Sequence, residues 1–205
     1  VGLVFCGLDE VTEAEGMDRV DIHLPANQRL LIERLYETGK KIVLVLECGS
    51  AIELPFVDRC DAIVPACLSG EAGARAILNV IMGKVNPSGK LAESYPFGYE
   101  DCPSADHFGK SDRTIEYRES IFIGYRYYNT AGTEARYPFG YGLSYSTFEY
   151  SDLKVNDKGV TFKIKNTSEI EGKEIAELYI GKKESFIPRP SYELKGFAKI
   201  ALKPG

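Results

Sequence analysis

The stretch KIVLVLECG (Lys41–Gly49) carries an unbroken run of β-branched residues and leucines with no polar residue at alternate positions. A strand with one wet face alternates apolar and polar side chains, whereas a strand covered on both faces does not. Ile42–Leu46 therefore reads as a strand buried on both sides. Working outward, GLVFCGL (Gly2–Leu8) and DAIVPAC (Asp61–Cys67) repeat the pattern. Between the first two lies LPANQRLLIERLYETGK (Leu24–Lys40), with Leu30, Leu31, Leu35 and Tyr36 at helical spacing, Pro25 suited to a helix start and Gly39 to a stop. ELPFVDRC (Glu53–Cys60) reads as a short helical turn and GEAGARAILNVIMGK (Gly70–Lys84) as a helix closing on Gly83. NPSGK (Asn86–Lys90) is a turn, and LAESYP (Leu91–Pro96) is expected to be a short fourth strand. Buried strands separated by helices imply βαβ units, a mostly parallel sheet and helices on both faces, hence a three-layer α/β sandwich.

Beyond it the pattern changes. From Pro96 to about Arg113 the chain is rich in Pro, Gly, Asp and Ser, a long loop of the kind that is functional or wraps a neighbour. EYRESIFIGYRYY (Glu116–Tyr128) and YPFGYGLSYSTFEYSDL (Tyr137–Leu153) crowd aromatic residues together, Tyr125, Phe139 and Tyr141 among them. Tyrosine faces suit sugar rings and also suit the seam between two domains; interdomain packing is the favoured role. From Leu153 on, LKVNDKGVTFKIKNTS, KEIAELYIGKK and ELKGFAKIALKPG alternate between turns, as antiparallel strands do, so a small β-sandwich begins here. The expected division is an α/β domain over 1–128, an aromatic linker over 129–148 and a β-sandwich over 149–205 that is cut before completion. Val1 opens inside one apparent strand and the chain stops just after another, which reads as a piece of a longer protein.

Composition narrows the chemistry. The 205 residues are 44% hydrophobic and 27% charged, with a net charge of −5 and no basic stripe, so nucleic acid is not an expected partner. No apolar run approaches the ~18 residues that cross a membrane, and none resembles a signal peptide. The five cysteines form no CxxC pair and sit partly inside apolar runs, which points to buried thiols in a reducing, cytoplasmic setting. With only His23 and His107, a zinc site or a Ser-His-Asp triad has little material; no metal and no cofactor is expected. GLVFCGL lacks the dinucleotide fingerprint. The glycines of SGEAGARAI are assigned to close helix packing rather than anion binding, and the Asn166-Thr167-Ser168 sequon is given no weight.

One stretch calls for chemistry. EVTEAEGMDR (Glu10–Arg19) leaves the carboxyl end of the first strand, where ligands of open α/β sheets lie. Its acids, Glu10, Glu13, Glu15 and Asp18, would raise one another's pKa if they converge, which is how a carboxylic acid stays protonated near neutral pH. Gly16 would let the backbone turn sharply and present Glu15 outward, and Asp18 with Arg19 would brace the loop as a local ion pair. A hydrated acidic loop without chemistry is the plain competing reading.

Five motifs in order, AEGMDR…LPANQRLLIERL, NPSGKLAESYP, YRESIFIGYRYY, YPFGYGLSYSTFEYS and ELKGFAKIALKPG, make the chain resemble the carboxy-terminal part of a β-glucosidase of glycoside hydrolase family three. The resemblance implies an α/β sandwich followed by the first part of a fibronectin-III-like domain, with a (β/α)8-like barrel of the same protein as the missing partner. It implies a retaining, exo-acting hydrolysis of terminal β-D-glucosyl residues, with β-glucosides or oligosaccharides as substrates. The acid/base glutamate carried over is Glu15, with Glu13 and Glu10 as rivals; the aspartate nucleophile would come from the barrel. A homo-oligomer is compatible with this picture. Two departures bear on substrate preference: Cys67 stands at an aromatic position in ACLSGEAGA (Ala66–Ala74), and Ser120 replaces the glycine of Tyr-x-Glu-Gly. The alternative function is a non-catalytic carbohydrate-binding or scaffolding module.

Overall fold

Three strands, β1 (Gly2–Gly7), β2 (Ile42–Glu47) and β3 (Ala62–Pro65), lie parallel in the order β1-β2-β3 in a computed structural model that describes residues 1–111 and 113–205. Phe5 stands opposite Val45, and Val45 opposite Val64. Helix α1 (Ala26–Glu37) connects β1 to β2, and a 3-10 turn at Val57–Arg59 precedes β3. Val4, Cys6, Ile42, Leu44 and Leu46 form one core with Leu24, Ile32, Ile52, Leu54 and Phe56. On the opposite face Val45 is buried, but Leu3 and Phe5 of edge strand β1 are 42% and 50% exposed, so the described residues cover that face of β1 only in part. Burial of Cys6 and Cys48 confirms them as small apolar core residues, and desolvation pushes the Cys48 thiol up to about 11.

Two expectations shift, and a third holds. The buried stripe of α1 runs through Ile32 and Leu35, while Leu30, Leu31 and Tyr36 are about half exposed. The register is set from its first turn, where the Gln28 side chain donates to Gly7 O and accepts from Gly7 N, both at 2.9 Å. LAESYP is not a fourth strand of the parallel sheet. Tyr95 forms an antiparallel bridge with Tyr137, and Leu91 exchanges backbone bonds with Gly140 and Tyr141, so this segment pairs with the aromatic stretch instead. Helix α2 (Gly73–Ile81) starts at a buried glycine whose added Cβ would collide with Ser69 of the preceding loop, so close packing accounts for it.

Helix α3 (Tyr125–Ala131) crosses residue 128, and from there the chain enters two antiparallel ribbons, β4 (Phe148–Asn156) with β5 (Gly159–Asn166) and β6 (Gly172–Ile180) with β7 (Glu193–Leu202). The aromatic stretch joins the two regions. Tyr125 packs edge-on against Tyr179 at 5.9 Å between centroids, and its hydroxyl accepts from Leu194 N at 2.8 Å. The NPSGK turn contributes more. Asn86 uses its whole amide, donating to Ser146 Oγ and Glu171 O and accepting from Ser144 Oγ and Tyr145 N. Lys90 donates to Gly142 O at 2.9 Å and lies 3.5 Å from the Glu174 carboxylate. The sequon asparagine Asn166 is 1% exposed, with Nδ2 donating to Ile170 O and Leu202 O, so it is shut away from modification.

The long loop contains a 3-10 turn at Tyr99–Asp101; Asp112, near its end, lies outside the described residues. Ser120 adopts φ +51°, the left-handed region that disfavours a side chain. It is exposed, so its side chain gives little packing in return. Ser120→Gly is expected to relieve about 1 kcal/mol of backbone strain, less what glycine's freedom costs in the unfolded chain. A thermal midpoint raised by roughly 1–3 °C is the measurement that checks it. No helix among the described residues is long and apolar enough to cross a membrane.

Candidate active site

The carboxyl ends of β1, β2 and β3 feed the loops that begin at Leu8, Cys48 and Ala66, and together they form one rim. The first loop is built in two turns. Asp9 opens it, its Oδ1 accepting from the backbone N–H of Thr12 at 2.9 Å and from the Thr12 hydroxyl at 2.7 Å. These bonds hold the Asp9 carboxyl below the usual range. Then Ala14 bridges Met17, with Met17 N donating to Ala14 O at 3.4 Å. Between them Gly16 sits at φ +79°, the value that the third position of a type II turn demands. A side chain at this position would be strained, so the glycine sets the turn and with it the place of Glu15.

The three candidate glutamates receive different environments. Glu15 is exposed at the apex of the Ala14–Met17 turn and has no hydrogen bond to the described residues. Glu13 is half buried and committed, accepting from Gly49 N at 2.8 Å and from Ser50 Oγ at 3.0 Å. Glu10 is exposed in the earlier Asp9 turn. Of Glu10, Glu13, Glu15 and Asp18, only Glu13 has hydrogen-bond partners among the described residues, and the four do not converge on one site. The expected Asp18–Arg19 brace is also replaced. Arg19 donates from Nη1 to Ser50 Oγ at 2.9 Å, across to the loop after β2, and so is turned to another loop and not to Asp18.

Two residues of this rim went unremarked in the sequence. Ser50 donates to Glu13 and accepts from Arg19, and its place soon after the carboxyl end of β2 puts it on the rim without naming either partner. Glu93 belongs to the LAESYP segment and feels the charges of Glu13 and Arg19. The residue is exposed, yet desolvation of the carboxyl pushes its pKa up, with the Glu13 charge adding and an Ala51 backbone bond and Arg19 opposing. Cys67, on the third loop, is exposed and holds φ +53°, so the position of its departure from the aromatic pattern is also one of backbone strain. No cluster of metal-ligating side chains occurs among the described residues.

The sequence matches the Glycosyl hydrolase family 3 C-terminal domain over residues 1–145 and the Fibronectin type III-like domain over residues 174–205. The chain belongs to glycoside hydrolase family 3. Its whole length is 45% identical to thermostable beta-glucosidase B of Acetivibrio thermocellus, of which it spans 28%. It is 40% identical, again over its whole length, to an exo-alpha-(1->6)-L-arabinopyranosidase of Bifidobacterium longum, of which it also spans 28%. Among solved structures, the family 3 beta-glucosidase of Bifidobacterium adolescentis superposes with a TM-score of 0.95 at 39% identity, over 99% of this chain and 31% of that one. The beta-glucosidase of Kluyveromyces marxianus in complex with glucose gives 0.92 at 37% identity, over 99% of this chain and 25% of that one. The parallel sheet and the antiparallel ribbons after it are thus the architecture of a family 3 C-terminal region, and the chain covers less than a third of these relatives' length.

Proposed function

We propose that this family 3 chain supplies the general acid/base, Glu15, of a retaining exo-β-glucosidase whose aspartate nucleophile lies in a barrel domain outside these residues. The observation that carries the reading is the Gly16 turn. It leaves one unbonded carboxyl at an apex of the loop that follows the carboxyl end of β1, while Glu13 is tied down. The relatives support the substrate class, being mostly β-glucosidases, and the short span of each that this chain covers supports a partner domain. In this reading 1–128 is the sandwich with the acid/base loop, 129–148 the aromatic linker and 149–205 the fibronectin-like module, with the linker beginning inside α3.

The chemistry takes two steps. Retaining glycosidases hold their carboxyl groups about 5–5.5 Å apart, so one attacks the anomeric carbon while the other protonates the departing oxygen. Glu15 gives its proton to the glycosidic oxygen of the leaving alcohol. As a carboxylate it then takes a proton from the water that releases the sugar from the aspartate ester, which restores both groups.

The test uses the complete protein with an aryl β-D-glucoside, following the first-formed product by NMR. β-Glucose as the initial anomer supports the reading; α-glucose, or no turnover, contradicts it. The isolated 205 residues should hydrolyse nothing. An aryl α-L-arabinopyranoside run in parallel decides between the two activities named among the relatives, and preference for it would overturn the glucoside assignment.

A further inference from the structure

A two-residue turn closed by one 3.4 Å backbone bond does not hold a side chain still by itself. The Glu15 turn is instead fixed from both of its stems. Glu13, before the turn, and Arg19, after it, both reach the hydroxyl of Ser50, at 3.0 and 2.9 Å. A serine hydroxyl has one hydrogen to give. Arg19 can only donate, so the Ser50 hydrogen must point to Glu13, and the oxygen accepts from the guanidinium. Each bond has one ionised partner, the class of hydrogen bond that is stronger than a neutral pair. Ser50 thereby connects a carboxylate and a guanidinium that form no direct ion pair within the distance of one.

The surroundings reinforce this geometry. Gly49 N–H gives Glu13 a second bond at 2.8 Å, and a Cβ on Gly49 would stand 3.1 Å from the Glu13 carboxyl, a tight approach that glycine avoids. Arg19 Nε and Nη2 are buried with no hydrogen-bond partner among the described residues, so Ser50 is the guanidinium's one such bond there. Removing it would strand a crowded cation beside the turn. The contacts span 31 to 37 residues of sequence, tying the carboxyl-end loop of β1 to that of β2.

We propose that Ser50 is a positioning residue, fixing the Glu15 turn through Glu13 on one stem and Arg19 on the other. The proposal rests on the reading of Glu15 as the acid/base. A general acid must lie within about 2.6–3.2 Å of the oxygen it protonates, and misplacement by an ångström can cost ~10²-fold in rate. Ser50 touches no reacting atom, so its effect appears only where proton donation matters.

The test measures kcat/KM in the complete enzyme for an alkyl β-glucoside, which needs protonation of its leaving group, and for a dinitrophenyl β-glucoside, which does not. The ratio of the two values cancels the amount of folded enzyme, so partial unfolding of a variant does not blur it. Ser50→Ala should lower this alkyl-to-dinitrophenyl ratio by roughly 10–100-fold, and Ser50→Thr, which keeps the hydroxyl, should restore most of it. An unchanged ratio in Ser50→Ala, or a fall that Ser50→Thr shares in full, overturns the proposal. Glu15→Gln is the control. If its ratio is also unchanged, the acid/base assignment itself is wrong; if it falls while that of Ser50→Ala does not, only the positioning role fails.

Discussion

Glu15→Gln in the complete enzyme is expected to lower kcat/KM for an alkyl β-glucoside by about 10²–10⁴-fold, the usual contribution of a general acid. Glutamine keeps the size of the side chain and its exposed place at the turn but has no acidic proton to transfer. An alkoxide leaving group then departs unassisted. With a dinitrophenyl leaving group the first step needs no acid, so kcat/KM should change little while kcat falls, because the second step still requires a base. Glu13→Gln should act less strongly. Its amide oxygen can still accept from Gly49 or Ser50, and its loss loosens the turn without removing the proton donor. Glu10→Gln should act least, since Glu10 is exposed in a separate turn. The order of the three effects, read from steady-state rates, is the check.

Lys90→Met should produce the largest loss of stability at the seam between the sandwich and the β-ribbons. The Lys90 and Glu174 side chains are 18% and 11% exposed and lie 3.5 Å apart. Glu174 also accepts from the Tyr150 hydroxyl at 3.0 Å, a bond that, after burial, helps push the tyrosine pKa up. Removing one partner of such a pair leaves a largely buried charge uncompensated, at a cost of about 3 kcal/mol. The Gly142 carbonyl loses its donor as well. The thermal transition that includes the β-ribbons should drop by several degrees. Lys90→Met combined with Glu174→Leu should recover most of that loss, since no charge is then stranded and Tyr150, 50% exposed, can give its hydroxyl to water. A double variant as unstable as the single one would show that the seam depends on packing rather than on charge.

Lys90 also shows where sequence reading stops. The parallel sheet was legible because KIVLVLECG has one physical interpretation, a strand without a wet face, and because helices with start and stop signals separate such runs. Element type followed from pattern, but the direction in which α1 buries its apolar residues did not. Leu30, Leu31 and Ile32 are consecutive and point in different directions, so the pattern leaves the buried face open, and the Gln28 bonds to Gly7 help to set the rotation. LAESYP has strand-like composition, yet its partner is Tyr137, 42 residues on by the Tyr95–Tyr137 numbering, and no local signal names a partner at that distance. In the site, Gly16 announced its turn and thus the exposure of Glu15. Ser50 did not announce itself, because a serine after a strand becomes a hub only when two charged side chains from another loop arrive there.

The most direct test of Glu15 as the acid/base is the product formed by Glu15→Ala in the complete enzyme with a dinitrophenyl β-glucoside and azide. An alanine leaves room for the small anion and removes the base that water needs, whereas azide needs no base to attack the sugar on the nucleophile. The expected result is a raised kcat and β-glucosyl azide in the NMR spectrum. Azide that leaves Glu15→Ala unchanged, or that forms the same product with Glu13→Ala or Glu10→Ala instead, would contradict the assignment.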